Sequence, residues 1–370
     1  MLQLDLQEPL IIDSIIHNNK SIEFTKNSTN TWLVNELNFS KNKILSKGKT
    51  IYIPDEKIEI YYHGKPKEAK TPPWDGGWIW KKDKNGNPWM SVAVQGLGAS
   101  AWYPCKDYQG DEPDNGASLM MIVPDSLVAV SNGRLTTKQS TQNSQYQTTY
   151  SWEVKNPINS YCIVPYIGKY VNFKEKYAGE KGALDLNYWV LDYNLAKAKT
   201  YMPDQVHKML KSFEYWFGPY PFYEDGYKLV ESPYLGMEHQ SAVAYGNHYM
   251  NGYLGNDLSG TGEGMLFDFI IIHESGHEWF GNNITASDVA DNWIHEGFTS
   301  YSEVLFTECE FGKEAGNDYC EGVKKSISND IPIIGKYEVH EEGSGDMYNK
   351  GANMLHTIRQ VINNDSLFRS

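Results

Sequence analysis

Arginine is scarce in this chain, since 3 of its 33 basic residues are arginines. Proteins that read phosphates or base edges usually rely on arginine, whose planar guanidinium forms paired hydrogen bonds. The formal net charge of -14 also repels polyanions and anionic membrane surfaces. Nucleic acid is therefore not an expected partner, and the acidic surplus is most simply a source of solubility.

Cysteine and long apolar runs are also scarce. The 4 cysteines form no C-x-x-C pair, which argues against a disulfide scaffold. Cys309 and Cys320 could pair across a loop, but buried free thiols are favoured, so this pairing stays open. No apolar run reaches the roughly 18 residues of a membrane-spanning helix, and residues 1–13 alternate like a strand rather than a signal peptide. No transmembrane segment is expected.

The length of 370 residues is more than one hydrophobic core usually organises, so two domains are expected. The first half has the pattern of β-sheet, because residues 2–16, 49–64 and 117–135 alternate polar and apolar side chains or run in β-branched ones. The third of these segments is broken at Pro124 and has an Asn-Gly turn at residues 132–133.

The second half has helical periodicity instead. Apolar residues recur at helical spacing over residues 196–218, 264–281, 291–312 and 344–364. Residues 228–246 have the pattern of strand, loop and strand. We therefore predict an α+β fold, with an antiparallel β domain over residues 1–194 and a second domain over residues 195–370.

The segment HESGH at residues 273–277 has the form H-E-x-x-H inside the second predicted helix. Residues four apart lie on one face of a helix, so the imidazoles of His273 and His277 can reach one metal ion. Neutral imidazole suits Zn²⁺, which it binds at about 2.0–2.1 Å. Glu274 is rotated by one residue and can face a water on the metal without being a ligand, which is the arrangement of a general base.

A third ligand is expected because catalytic zinc uses three protein ligands and keeps one position open. Glu296 follows His277 by nineteen residues and lies on the next predicted helix. Two histidines on a helix could instead be ordinary core or surface residues. That reading loses weight because the motif follows an apolar stretch at residues 267–272 and has a glutamate at a suitable distance. We predict one Zn²⁺ per chain, held by His273, His277 and Glu296.

Glu303 is the candidate that supports the ligands. It lies seven residues beyond Glu296, two turns along the same helix face. A zinc-bound histidine usually donates its other ring N–H to a carboxylate. An ordinary solvated glutamate is the alternative for this position.

Residues 273–303 together resemble the zinc aminopeptidase family typified by aminopeptidase N. That family has H-E-x-x-H, then W-F-G-N, then N-E-G-F and a trailing glutamate. Three other segments are similar to family motifs and occur in the family's order: WYPCKDYQGDEPDN at 102–115, YLGMEHQSAVAYG at 234–246 and YNKGANML at 348–355. The likeness extends from residue 2 to the end of the chain.

The resemblance implies a saddle-like antiparallel β domain followed by a thermolysin-like catalytic domain. It also implies a zinc aminopeptidase, whose substrates are peptides with a free N-terminus. In that family the position of Glu238 binds the α-amine, and the position of Gln95 supplies a second amine contact from the β domain. Gly236 and Met237 belong to the same substrate-binding motif, with Met237 as the floor of the first side-chain pocket.

Tyr348 matches the tyrosine of the family's Y-x-K-G-A segment. Attack of water on a peptide carbonyl creates an oxyanion, and a phenol O–H close to it stabilises that charge. His239 and His295 depart from the family pattern, which has asparagine at both positions. Neither is expected to hold the metal, and they leave the substrate preference open.

The length also departs from the family, which normally adds a helical C-terminal domain. This chain ends 22 residues after Tyr348, so we expect a fragment truncated at both ends. Two other functions stay open: a zinc endopeptidase of the same clan, and a zinc-binding fragment with little activity alone. The oligomeric state is open. The compartment is open too, with the cell envelope or a secreted location favoured because scavenging peptidases are common there.

Overall fold

The computed structural model describes residues 2–35, 44–46, 49–51, 57–141 and 146–369. Contacts divide the chain into two compact units, of which the first comprises Met1–Trp78 with Val94–Asp107 and the second Ile79–Ala93 with Tyr108–Ser370. This division by contacts differs from the boundary expected near residue 194. The predicted domains over residues 1–194 and 195–370 therefore stay a prediction.

Short antiparallel strands build the first unit. They are β1 (Leu2–Asp5), β2 (Ile11–His17), β3 (Lys20–Ile22), β4 (Phe24–Lys26), β5 (Thr31–Val34), β6 (Ile44–Ser46), β7 (Lys49–Ile51) and β8 (Ile58–His63). The sheets have the orders β1-β5-β4, β3-β2-β8 and β6-β7. A small core contains Leu4, Ile15 and Trp32. The strand predicted over residues 49–64 starts with β7 and ends with β8, and residues 52–56 lie outside the described part.

The β pattern predicted over residues 2–16 corresponds to two strands. Two strands, β1 and β2, are separated by a turn in which the N–H of Leu10 donates to the carbonyl of Gln7. Pro9 lies in this turn and has no N–H to offer to a strand ladder. The alternating pattern continues through the turn, so the pattern alone did not reveal the break.

The remaining strands form three sheets. They are β9 (Gly77–Lys82), β10 (Pro88–Ala93), β11 (Ala117–Pro124), β12 (Val128–Val130), β13 (Arg134–Thr141), β14 (Gln147–Val154), β15 (Tyr166–Gly168), β16 (Tyr170–Gly179), β17 (Gly182–Leu191), β18 (Tyr227–Glu231), β19 (Gly236–Met237) and β20 (Val243–Tyr245). The sheet orders are β12-β15-β10-β9, β11-β14-β13 and β16-β17-β18-β20-β19. In the last of these, β17, β18 and β20 run parallel and the outer strands antiparallel.

The α-helices of the described residues follow β17. They are α1 (Leu195–Phe217), α2 (Phe269–Gly276), α3 (Trp293–Phe311), α4 (Lys313–Lys324), α5 (Asn349–Ile362) and α6 (Asp365–Phe368). The α+β class predicted from the sequence is confirmed. Among the described helices, none is long and apolar enough to cross a membrane.

Helix α2 is shorter than the helix predicted over residues 264–281. The carboxylate of Asp268 accepts the N–H of Ile271 and caps the helix start. Asp268 also accepts the hydroxyl of Tyr245 on β20, at 2.7 Å, which fixes the helix start to the sheet. Ile270, Ile271 and Ile272 of α2 are buried, and Phe269 is half-buried.

Helix α4 was not predicted. It begins directly after Gly312, whose φ of 101° ends α3, and it carries glycines at 316 and 322 that weaken a helical pattern. Cys309 and Cys320 lie on α3 and α4, and both are free thiols. Cys320 is buried, as favoured for a free thiol, whereas Cys309 is exposed.

Two glycines let α3 and α5 touch. A Cβ added to Gly351 on α5 would lie 2.7 Å from the Cα of Gly297 on α3, which is closer than real Cβ contacts come. Gly297 follows Glu296, and Gly351 is one turn beyond Tyr348. The close contact of the two backbones therefore sets the spacing between a predicted ligand and the predicted oxyanion donor.

Gly351→Ala is expected to destabilise the protein by about 1–3 kcal/mol, because the new methyl group meets backbone that cannot rotate away. This loss exceeds the gain of roughly 1 kcal/mol in helix propensity. Denaturant unfolding measures it, with Gly345→Ala as the control, since a Cβ there meets no described atom within 4 Å. Equal stability of the two variants would contradict the close contact of α3 and α5.

Candidate metal centre

Helices α2 and α3 bring three metal-binding atoms to one point. His273 Nε2 lies 3.3 Å from His277 Nε2 and 3.4 Å from Glu296 Oε2. The third side of the triangle, from His277 Nε2 to Glu296 Oε2, is 3.3 Å. All three side chains are buried. Among the described residues, this is the group of histidine, cysteine and carboxylate side chains whose spacing suits a metal ion.

The other ring nitrogen of each histidine is already engaged. His273 Nδ1 lies 2.6 Å from Glu303 Oε1, and Glu303 Oε2 accepts the hydroxyl of Tyr319, also at 2.6 Å. His277 Nδ1 lies 3.0 Å from the carbonyl of Phe280. A carbonyl and a fully engaged carboxylate can only accept here, so both Nδ1 atoms carry the proton. In the neutral form of each imidazole, Nε2 is then left with a lone pair that can bind a metal ion.

The triangle fits a zinc ion. In a tetrahedral site with bonds of about 2.0–2.1 Å, neighbouring ligand atoms are about 3.3 Å apart, which is the spacing of these three atoms. No described residue donates a hydrogen bond to Glu296 Oε2, although that atom is buried. Three acceptors without a donor between them are unfavourable in a dry site unless a cation lies among them.

Glu274 lies beside the triangle, on the side of β19. An added Cβ on Gly236 would lie 2.5 Å from Glu274 Oε1, so the substrate-motif glycine and the candidate base are in direct contact. Burial raises the pKa of the Glu274 carboxyl to about 7, and the negative charge of Glu238 contributes in the same direction. A nearby cation acts in the opposite direction, because it favours the carboxylate. Because these two effects oppose each other, the Glu274 carboxyl can both accept and release a proton.

Glu238 belongs to the buried loop between β19 and β20. Its side chain is 3% exposed, and its Oε1 accepts the hydroxyl of Tyr161 at 2.8 Å. Its carbonyl accepts the side-chain N–H of Asn282 at 2.7 Å. The structure thus places a fixed carboxylate within electrostatic reach of Glu274.

Tyr348 immediately precedes α5 and packs on the first ligand. Its ring is stacked on that of His273, with centroids 6.0 Å apart and planes at 26°. Burial raises the pKa of its phenol well above the ordinary value, and the charge of Glu296 adds to the effect. Tyr348 is therefore a neutral O–H donor next to the triangle.

The other predicted residues have different outcomes. Met237 is buried on β19, beside Glu238. Gln95 belongs to the first compact unit, so its role in amine binding stays a prediction. His239 bonds through Nδ1 to the hydroxyl of Tyr166 at 2.8 Å. His295 accepts the N–H of Ala286 at Nε2. Neither His239 nor His295 belongs to the group of side chains that could hold a metal ion.

Several residues of the site were missed by sequence reasoning. Tyr319 bonds to the partner of His273, Thr299 lies within hydrogen-bond distance of His277, and Tyr161 donates to Glu238. None of the three was identified from the sequence. Asn282 is the asparagine of the W-F-G-N segment, so its place in a motif was a usable signal. For Tyr161 no local signal exists, because it is one of 26 tyrosines.

Comparisons with known proteins agree with this geometry. Residues 201–370 match the profile described as the Peptidase family M1 domain. Aminopeptidase B of Homo sapiens is 26% identical over 227 residues, which are 61% of this chain and 31% of that protein. Leukotriene A-4 hydrolase of Xenopus laevis is 22% identical over 376 residues, which are 97% of this chain and 57% of that protein.

Among solved structures, an M1 zinc metallopeptidase mutant from Deinococcus radiodurans, bound to a Tyr-Ser-Ala substrate, superposes with a TM-score of 0.75. It is 20% identical, and the match covers 99% of this chain and 76% of that one. At this identity the likeness concerns the fold. The chain spans less than a third of the length of aminopeptidase B, at 31%. Residues 201–370 therefore match a peptidase family M1 domain, and the fold of the chain is similar to that of an M1 zinc metallopeptidase.

Glu303→Gln is expected to weaken zinc binding by about 10- to 100-fold, because an amide cannot accept from both His273 and Tyr319. Competition with a chelator of known affinity measures the change. Glu310→Gln is the control, since it removes the same charge from the same helix, two turns further on. Unchanged zinc affinity in Glu303→Gln would contradict the assigned support of His273.

Proposed function

We propose that this chain carries the catalytic centre of a zinc-dependent aminopeptidase, which removes the N-terminal residue from peptides. The observation that carries the proposal is the triangle of His273, His277 and Glu296, with its tetrahedral spacing. A buried carboxylate, Glu238, lies beside it. The first feature supports hydrolysis, and the second supports selection of a free amine.

One zinc ion per chain would be held by His273, His277 and Glu296. Zinc supplies a Lewis acid that polarises the scissile carbonyl and makes the attacking water more acidic. The remaining roles fall to side chains of this chain.

Glu274 is the general base in this proposal. It takes a proton from the attacking water and later delivers the proton to the leaving amine. Burial favours the protonated carboxyl of Glu274 and a bound cation favours its carboxylate, so the side chain suits both halves of that transfer. Gly236 is required at its position because any side chain there would displace the Glu274 carboxylate.

Tyr348 stabilises the transition state. Its phenol stays protonated, so it can donate a hydrogen bond to the oxyanion that forms on the carbonyl. The oxyanion carries more charge than the ground-state carbonyl, so this hydrogen bond favours the transition state over the substrate.

Glu238 selects the substrate class. A carboxylate held in a dry site pairs with the ammonium of a free N-terminus, and an acetylated N-terminus has no charge to offer. Met237 and Gly236 border the same position, and Gln95 is proposed as the second amine contact. Peptides with a free N-terminus are therefore the proposed substrates.

Zinc-loaded protein is expected to hydrolyse a peptide with a free N-terminus at least about 100-fold faster, in kcat/KM, than the same peptide acetylated. A panel of aminoacyl fluorogenic substrates identifies the peptide to use. Glu274→Gln is the blank, because it keeps the three ligands and should lose about 100- to 10,000-fold of the rate.

Similar rates on the free and the acetylated peptide would support a zinc endopeptidase instead. Zinc binding without turnover in the native chain would support a zinc-binding fragment. Full activity in Glu274→Gln would remove that residue from the mechanism.

A further inference from the structure

The loop that carries Glu238 is fixed more firmly than a surface loop. Residues 238–242 between β19 and β20 are all buried. Ser241 has a φ of 54°, a left-handed conformation that a non-glycine residue adopts only when its surroundings impose it. Its N–H donates to Glu278 Oε1 at 2.9 Å, and Glu278 directly follows the ligand His277.

The backbone of Glu238 is tied to the same segment. Asn282 lies five residues beyond His277, and its side-chain N–H donates to the Glu238 carbonyl at 2.7 Å. The side-chain oxygen of Asn282 accepts the thiol of Cys162 at 3.2 Å. The loop is thus attached at two points to the chain that leaves the zinc-binding helix.

The carboxylate of Glu238 is held from another direction, by the short turn Ser160–Cys162. Tyr161, which is 4% exposed, donates its hydroxyl to Glu238 Oε1 at 2.8 Å. Burial raises the pKa of the Tyr161 phenol well above its ordinary value, so the hydroxyl keeps its proton. Asn159 caps this turn by accepting the N–H of Tyr161, which fixes the direction of the tyrosine.

We propose that Tyr161 is a positioning residue for amine recognition, and that Asn282 serves the same function through the backbone. Tyr161 donates a hydrogen bond to one oxygen of Glu238 and thereby limits rotation of the carboxylate. The other oxygen is then held in one orientation, in which it can bind an ammonium. Asn282 fixes the position of the loop backbone at Glu238 relative to the metal ligands. This inference rests on the proposed function, because it assigns a role only if Glu238 binds the substrate amine.

The geometry explains why a donor is needed at this point. A buried carboxylate with neither oxygen fixed can turn about its last bond, and binding an ammonium then costs the ordering of the carboxylate. A hydrogen bond already made in the free protein removes that cost before the substrate arrives. Loss of this hydrogen bond is therefore expected to weaken substrate binding more than it slows the chemical step.

The test compares Tyr161→Phe with Tyr249→Phe. Tyr249 is also buried and donates its hydroxyl to a buried carboxylate, Glu231 Oε2 at 3.0 Å, so the control loses a bond of the same kind elsewhere. Kinetics use one peptide in its free and its N-acetylated form. Tyr161→Phe is expected to raise KM for the free peptide about tenfold, with kcat nearly unchanged. The rate on the acetylated peptide should not change.

Asn282→Ala is the second variant, in case Tyr161→Phe does not fold. It should lower the ratio of kcat/KM for free over acetylated peptide in the same way. Native thermal unfolding curves show which variants are folded.

The inference would be overturned if folded Tyr161→Phe kept the native ratio of kcat/KM for free over acetylated peptide, or if kcat/KM fell equally for both peptides. Tyr161 would then have a structural role only. The same fall of the ratio in Tyr249→Phe would also overturn it. A wild-type protein without preference for the free peptide would instead overturn the proposed function, and this inference with it.

Discussion

The convergence of three lone pairs is the constraint on which the rest of the structure depends. Two imidazole nitrogens and one carboxylate oxygen lie 3.3–3.4 Å apart in a buried site. Without a cation, such a group of acceptors repels itself and loses the hydration of each member. With a cation, the same spacing is the edge of a tetrahedron with one corner open for substrate and water. The arrangement therefore favours a bound cation at this point.

The fold keeps this arrangement in place from several sides. Asp268 caps α2 and bonds to β20, so the helix that carries His273 and ends just before His277 is fixed to the sheet at its start. Glu303 and Tyr319 complete a chain of hydrogen bonds behind His273. The contact of Gly297 with α5 brings Tyr348 to the same site. Each of these is a buried interaction of fixed geometry, which is what a preorganised centre requires.

In the proposed function, the Glu238 loop applies the same principle to substrate selection. Its attachments to Glu278 and Asn282 start from the chain just beyond His277, so a displacement of the metal helix would also displace the amine site. The distance between the proposed metal site and the proposed amine site is thereby tied to one structural segment. Such a link suits an enzyme that removes one residue at a time.

The sequence predicted the convergence of the two histidines better than the boundaries of individual helices and strands. Spacing alone is enough to place His273 and His277 on one helix face, because a helix repeats in a known way. The distance to Glu296 is not set by any such rule, and this ligand was predicted because a glutamate lies on the next predicted helix and catalytic zinc uses three protein ligands. Partners that are far apart in the chain, such as Tyr161 and Glu238, depend on tertiary packing and have no local signal.

Element boundaries failed where a cap or a turn interrupts a continuing pattern. The apolar pattern extends beyond α2 on both sides, but the capping bond of Asp268 decides where the helix starts. A turn at Pro9 separates β1 from β2, although the alternation of polar and apolar side chains continues across it. Helix α4 was missed because its glycines weaken the pattern, while its burial against the rest of the unit stabilises it.

X-ray absorption at the zinc edge tests the central claim most directly. Protein loaded with one equivalent of zinc is predicted to show four light neighbours, nitrogen and oxygen, at about 2.0–2.2 Å, with the multiple scattering of two imidazoles. Glu296→Gln should change this first shell. A sulfur neighbour at about 2.3 Å, a six-oxygen shell, or a spectrum unaffected by the change at Glu296 would contradict the account.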